Sequence, residues 1–316
     1  MSEPMVEVAQ LARPDRRTRG TFTAVVAHEV LSSGRNRLGY ALLVVFLGMV
    51  AVSATIGWLT RTTVTSVWRQ AVAAGLTTAP NPFAAAAALA DARNVAIYVI
   101  MIGALLAVVL GATATLRARR SRTVDLILTR PVGNRTYLAA QITGLSLLLA
   151  AVLAAAGASA WLGIWWVARQ PLGLASSVRL GAFFAAAWLL LTTFAAVGMI
   201  AGLYARTQTL AVLAPIIAWS VVVFVVPQLG TAAEPVALLN PVPTVQTTGG
   251  VFGVLHTVLS PLSVTEQFKV LAAALLGTGP AAGAVGAAAT VLAFLVFTIV
   301  VLLTSRRDLL RKGLHD

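Results

Sequence analysis

The 316-residue chain is 59% hydrophobic and only 10% charged, and its mean hydropathy is +0.89. Soluble domains carry about 25% charged residues, so this composition excludes a water-soluble globule and favours an integral membrane protein. The net charge of +13 does not indicate nucleic-acid binding, because the basic residues cluster in short segments between apolar runs. The absence of cysteine excludes disulfides, thiolate metal sites and cysteine nucleophiles.

The N-terminal segment 1–37 precedes the first apolar run and is largely polar over its first 19 residues. Apolar residues then recur at helical spacing, at Phe22, Val25, Val26 and Val30. This pattern predicts an amphipathic helix lying in the cytosolic membrane interface, with Arg35 and Arg37 at its end.

Six apolar runs approach the roughly 20 residues that a helix needs to cross a bilayer. They are Leu38–Trp58, Val95–Leu116, Leu138–Val167, Leu180–Tyr204, Leu210–Val226 and Ala281–Leu303, and none contains Asp, Glu, Lys, Arg or His. The predicted fold is therefore an all-α integral membrane domain over residues 38–304, followed by a cytosolic tail at 305–316. The only break between the fourth and fifth runs is Ala205–Gln208, which predicts a tight helical hairpin.

The basic residues predict the orientation. Of 23 Lys and Arg residues, 17 fall on the side that carries both termini and six on the other, which puts both termini in the cytosol. Arginine supplies 21 of the 23, a bias expected of a GC-rich bacterium. The predicted location is the bacterial cytoplasmic membrane.

Two long outer loops are predicted, at 59–94 and 227–280. The first contains an alanine-rich stretch, Phe83–Ala90, that favours a short helix. In the second, Val251–Leu259 and Val264–Leu276 are predicted to be short helices lying on, or dipping into, the outer interface.

No catalytic, cofactor-binding or metal-binding residue is predicted, and the chain is not expected to be an enzyme by itself. Neither of its two lysines, Lys269 and Lys312, closes a phosphate-binding GxxxxGK[ST] loop. Proton-coupled transport is disfavoured too, because the spans lack ionisable side chains, whereas sodium coupling through carbonyls and hydroxyls stays open. A transport protein of this kind needs an energy source elsewhere, and the simplest is a partner that hydrolyses ATP.

The second cytosolic loop, 117–137, offers a place for that partner. Thr123–Thr129 is predicted to be a short helix that Pro131 ends, with Val124, Ile127 and Leu128 on one face. Such a helix could dock into a groove on a cytosolic domain. From composition alone, a solvated run of basic residues that sets topology explains the loop equally well.

Three short stretches resemble ABC-2 type permeases, the membrane subunits of ATP-binding-cassette exporters. The stretch Thr123–Val132, with Tyr137, Leu138 and Gly144, resembles the coupling-helix signature of that family. Glu29 with Arg35–Arg37 resembles its N-terminal interfacial helix. Leu238–Pro241, which includes Asn240, is similar to an element of the branch that contains the permease of nitrous-oxide-reductase maturation. Three residues depart from the pattern: Gln141 replaces a frequent lysine, and Arg119 and Arg120 stand where an acidic residue is expected.

The resemblance implies a permease subunit that is driven by a separate ABC ATPase, which binds the ATP and Mg. It also implies that the permease works in membrane lipid as a homodimer or as a heterodimer with a second permease. It implies that the ATPase docks on Val124, Asp125, Leu126, Ile127, Leu128, Arg130 and Pro131. Gly198 and Gly202 form a GxxxG pattern that permits close helix packing. The alternative hypotheses are a non-transporting membrane scaffold or assembly factor and, less favoured, a channel or facilitator.

Overall fold

The computed structural model describes residues 15–35, 37–81, 89, 92–120, 133–168, 173–227 and 250–305. Every regular element in these ranges is a helix. The elements are α1 (Asp15–Gly34), α2 (Arg37–Ala73), α3 (Arg93–Tyr98, a π-helical turn at Val99–Gly103, and Ala104–Arg120), α4 (Asn134–Ala168), α5 (Leu174–Tyr204), α6 (Gln208–Ser220 and a π-helical turn at Val221–Val225), α7 (Gly250–Leu262), α8 (Val264–Leu276) and α9 (Ala284–Thr304).

Six of these helices are long and apolar enough to cross a membrane, namely α2, α3, α4, α5, α6 and α9. They coincide with the six runs seen in the sequence, so the predicted all-α integral membrane architecture is confirmed. We refer to them as the first to sixth spans.

The second and fourth spans form the centre of the bundle. In each of them 72% of the most apolar stretch is buried, against 13–22% in the other four spans. Buried Phe194 and Met199 of the fourth span belong to the same core as Leu106 and Val108 of the second. The remaining spans surround this pair and turn much of their surface outwards.

The spans alternate in direction, which gives the bundle two ends. One end, here called the α1 end, contains α1, the helix ends on either side of the segment 121–132, the turn between the fourth and fifth spans, and Ser305. That turn is as tight as predicted: only Ala205–Thr207 lie between α5 and α6, and the Thr207 hydroxyl accepts a hydrogen bond from the Leu210 amide at 3.2 Å.

The structure differs from the prediction after the first span. The helix does not end near Trp58 but continues to Ala73, so the loop predicted to start at residue 59 starts as a helix. The reason is the sequence, which has no glycine or proline between Gly57 and Gly75, where φ reaches +68°. Most of the predicted Phe83–Ala90 helix lies outside the described residues.

The two short helices predicted before the sixth span are present as α7 and α8. Ser263 begins α8 by accepting a hydrogen bond from the Glu266 amide at 3.3 Å, and Gly277, with φ +70°, follows its end. The apolar face of α8 packs against the fourth and sixth spans, and Phe268 is fully buried. This helix is therefore part of the bundle and does not merely lie on its outer surface.

Candidate functional site

A buried polar cluster joins three helices at the α1 end. Glu29 of α1 is only 4% exposed, and it accepts hydrogen bonds from Ser33 Oγ at 2.5 Å and Arg117 Nη2 at 2.6 Å on the same oxygen, Oε1. Arg117 Nη2 also lies 2.8 Å from Ser33 Oγ, and Gln141 Nε2 lies 3.4 Å from Glu29 Oε2. We call these four residues the Glu29 cluster. It ties α1 to the second span through Arg117 and to the third span through Gln141.

Gly144 makes room for Glu29 on the third span. A Cβ at this position would lie 2.8 Å from Glu29 Cβ and 3.0 Å from the Val26 carbonyl oxygen. Only glycine lets α1 lie so close to the third span. Half-buried Val25 of α1 packs against the core of the bundle. The position of α1 in the cytosolic membrane interface stays a prediction.

Arg119 joins the end of the second span to the turn between the fourth and fifth. Its Nη1 donates to the carbonyl oxygens of Gly202 at 2.9 Å and Ala205 at 2.7 Å, and the residue is 9% exposed. Carbonyls at a helix C-terminus lack partners within the helix and carry the negative end of its dipole, so a guanidinium stabilises them well. Arg119 thus ties α3 to both sides of the α5 terminus.

A fourth contact ties the start of the third span to the end of the sixth. Buried Asn134 donates from Nδ2 to the Ser305 carbonyl oxygen at 3.0 Å. Asn134 Oδ1 and Gln141 Oε1 are buried without a hydrogen-bond partner among the described residues. The chain that enters the segment 121–132 and the chain that leaves it are therefore both fixed to other parts of the bundle.

The two glycines of the predicted GxxxG pattern lie between the second and fourth spans of the same chain. A Cβ at Gly198 would overlap the Val108 carbonyl oxygen, and one at Gly202 would overlap Thr115 Oγ1. On the facing helix, a Cβ at Gly111 would overlap the Ala195 carbonyl oxygen. The two central spans are thus in backbone-to-backbone contact over this stretch.

The other predicted site residues are not part of this arrangement. Arg35 is exposed in the short connection between α1 and α2, and Arg37, also exposed, is the first residue of α2. The seven predicted docking residues, Val124 to Leu128, Arg130 and Pro131, lie outside the described residues, as do Asn240 and Pro241. Their roles remain predictions.

The sequence pattern alone does not indicate which residues hold the α1 end together. The sequence places Arg117 and Arg119 among the six arginines of the second cytosolic loop, whereas both are helical and make contacts inside the bundle. One signal was present in the sequence. Glu29 is the only acidic residue between Asp15 and Asp91, and it lies next to the apolar residues Val25, Val26 and Val30 of the predicted helix. A lone carboxylate in such a place needs a basic partner.

These features define a polytopic α-helical membrane protein. Its polar contacts between helices cluster at the helix ends that flank the segment 121–132. The profile of the family described as ABC-2 family transporter protein matches residues 23–312. The chain belongs to that family and is a permease component of an ABC transporter. No curated protein matches the sequence.

Proposed function

We propose that this permease belongs to an exporter powered by a separate ATPase subunit that binds the segment 121–132 in the cytosol. The observation that carries the proposal is the set of ties around that segment. Arg117 and Arg119 before it, and Asn134 after it, bond to α1, to the fourth–fifth turn and to the end of the sixth span. A displacement of the segment would therefore reach five spans and α1 together.

The expected docking surface is the face formed by Val124, Ile127 and Leu128. In protein interfaces a few buried side chains supply most of the affinity, and Ile127 and Leu128 suit that role. Asp125 is the only acidic residue between Arg117 and Tyr137 and would pair with a basic residue of the ATPase. Leu126, Arg130 and Pro131 complete the surface, while ATP and Mg would be bound by the partner.

Two copies of the permease are expected in the working transporter, with the path for cargo between them. The first, third, fifth and sixth spans expose large apolar side chains that lipid or a second copy would cover. The distribution of basic residues supports cytosolic termini and a location in the bacterial cytoplasmic membrane.

Ile127→Asp tests the docking surface. Burying an unpaired carboxylate costs several kcal/mol, and each 1.4 kcal/mol lowers affinity tenfold. Recovery of the ATPase with the tagged permease should fall by orders of magnitude at matched membrane levels. Ile127→Val, which keeps the apolar contact, should retain it.

Two outcomes would contradict the proposal. Equal ATPase recovery with Ile127→Asp and with the natural chain would show that the segment is only a topology signal. Recovery of no ATPase with the natural chain would favour the scaffold hypothesis instead.

A further inference from the structure

Arg119 links the end of the second span to the turn that precedes the fifth span. It lies two residues before the segment 121–132, and it bonds to Gly202, the third-last residue of α5, and to Ala205, the first residue of the turn. A small apolar group adds to this contact, since Leu116 packs with Ala205 and Ala211, which lies in the first turn of the fifth span. The first turn of the fifth span therefore packs against the end of the second span.

The fourth span cannot slide on the second near this point. The close approaches of Gly198 and Gly202 leave no space between the two backbones, because a single added carbon would overlap atoms of the second span. Any displacement of the second span near Arg119 therefore carries the end of the fourth with it. The turn at Ala205 then passes this displacement to the fifth span.

The fifth span, in contrast, has features that favour bending. It is the shortest of the six spans, with only 17% of its apolar stretch buried. It contains Pro215 within the helix and, like the second span, a π-helical turn, here at Val221–Val225; both features interrupt the regular backbone hydrogen bonds. Its outer half is linked to α8 by a long hydrogen bond from Thr265 Oγ1 to the Val222 carbonyl oxygen, at 3.4 Å.

We infer that Arg119 is a positioning residue that couples movement of the ATPase-binding segment to the fifth span. Its guanidinium holds the turn at Ala205 to the last helical turn before that segment, so that the two move together. The inference rests on the proposed function, because the ATPase supplies the movement. To the proposed function it adds a route by which the movement passes from the cytosolic end of the bundle to the fifth span.

The test measures the distance between the outer halves of the fourth and fifth spans. The natural chain has no cysteine, so Ala185→Cys and Val225→Cys, both at exposed positions, give a unique pair for spin labels. The labelled permease is mixed with excess cysteine-free chain, reconstituted with the ATPase that co-purifies with it, and measured without nucleotide and with ATP plus vanadate.

In the otherwise natural chain, ATP plus vanadate should shift the distance distribution. Arg119→Leu should reduce the shift to less than half, because the turn at Ala205 loses its polar bonds to the second span while the packing at Gly198 and Gly202 remains. The ATPase should still co-purify at the natural level. Arg119→Lys, which keeps the charge and an N–H donor, should restore it at least in part. Arg206→Leu is the matched control, because it removes the same charge from an exposed side chain of the same turn and should leave the shift unchanged.

A full shift in Arg119→Leu, with the ATPase bound, would overturn the inference and leave the proposed function standing. A natural chain that recovers no ATPase would overturn both. If Arg119→Leu fails to accumulate in the membrane, Arg119→Gln takes its place, since its amide is too short to reach both carbonyls; the expected loss and the contradicting result are the same.

Discussion

The two ends of the bundle are held together in different ways. At the α1 end, Glu29 pairs with Arg117, which lies 88 residues away in the chain; at the opposite end, Glu266 pairs with Lys269, one helical turn away. Two glycines of the fourth span differ in the same way. A Cβ at Gly198 would meet backbone, whereas one at Gly181, nearer the opposite end of the same helix, would meet nothing within 4 Å.

This difference indicates which half of the molecule moves as one body. Contacts between elements remote in sequence fix the α1 half, including α1 itself and five of the six spans. Local and apolar contacts dominate the other half, where side chains can slide over one another with little loss of polar bonding. We expect the α1 half to receive force without deforming and the opposite half to change shape.

The largest expected effect comes from Gly198→Ala, which breaks the close contact of the central spans. The added methyl group would overlap the Val108 carbonyl oxygen, and neither backbone can move without disturbing its helix. Overpacking of this kind costs about 3 kcal/mol, so thermal unfolding in detergent, followed by size-exclusion chromatography, should occur at a clearly lower temperature.

Gly181→Ala is the matched control for that change. It lies in the same helix but has open space around it, and alanine favours a helix over glycine by about 0.5–1 kcal/mol. Equal destabilisation by the two substitutions would contradict the distinction between the tight and the open half.

A smaller effect is expected from Glu29→Leu, which leaves Arg117 without its carboxylate. Removing one partner of a buried ion pair costs about 3–5 kcal/mol, but Arg117 is 34% exposed and keeps some access to water. We expect a loss of about 2–3 kcal/mol, measured by the same unfolding assay, and partial recovery in the double variant Glu29→Leu, Arg117→Leu.

The counterpart at the opposite end is Glu266→Gln. Its ion pair is local and both side chains are partly exposed, so the expected loss is below about 0.5 kcal/mol. The contrast between the ends would fail if this variant were destabilised as much as Glu29→Leu.

The smallest effect on stability is expected from single cysteines that report which end faces the cytosol. The two positions to be changed to cysteine are Thr77, in the stretch after α2 at the end opposite α1, and Ser121, which directly follows α3 in the sequence. A membrane-impermeant thiol reagent added to intact cells should label Thr77→Cys and not Ser121→Cys. The reverse pattern would contradict cytosolic termini.

Hydropathy was sufficient to predict the six spans, since a run of about 20 apolar residues leaves few alternatives in a membrane. It could not predict that Arg117 and Arg119 are inside the bundle. A basic residue just past an apolar run has the same local pattern whether it faces water or a partner 83 to 88 residues away. Likewise, the role of Gly144 depends on Glu29 of a different helix, which no local pattern records.

The length of α2 has a practical consequence for imaging. Its 37 residues span about 55 Å at 1.5 Å per residue, and a bilayer with its headgroups is about 40–45 Å thick. An upright α2 would therefore project about 10 Å beyond the lipid, and the Trp68 Nε1–Ala79 hydrogen bond at 2.9 Å holds the following chain against it. A 32.8 kDa protein in a micelle is difficult to align in electron micrographs, and this rigid projection is where an antibody fragment raised as an alignment marker should bind.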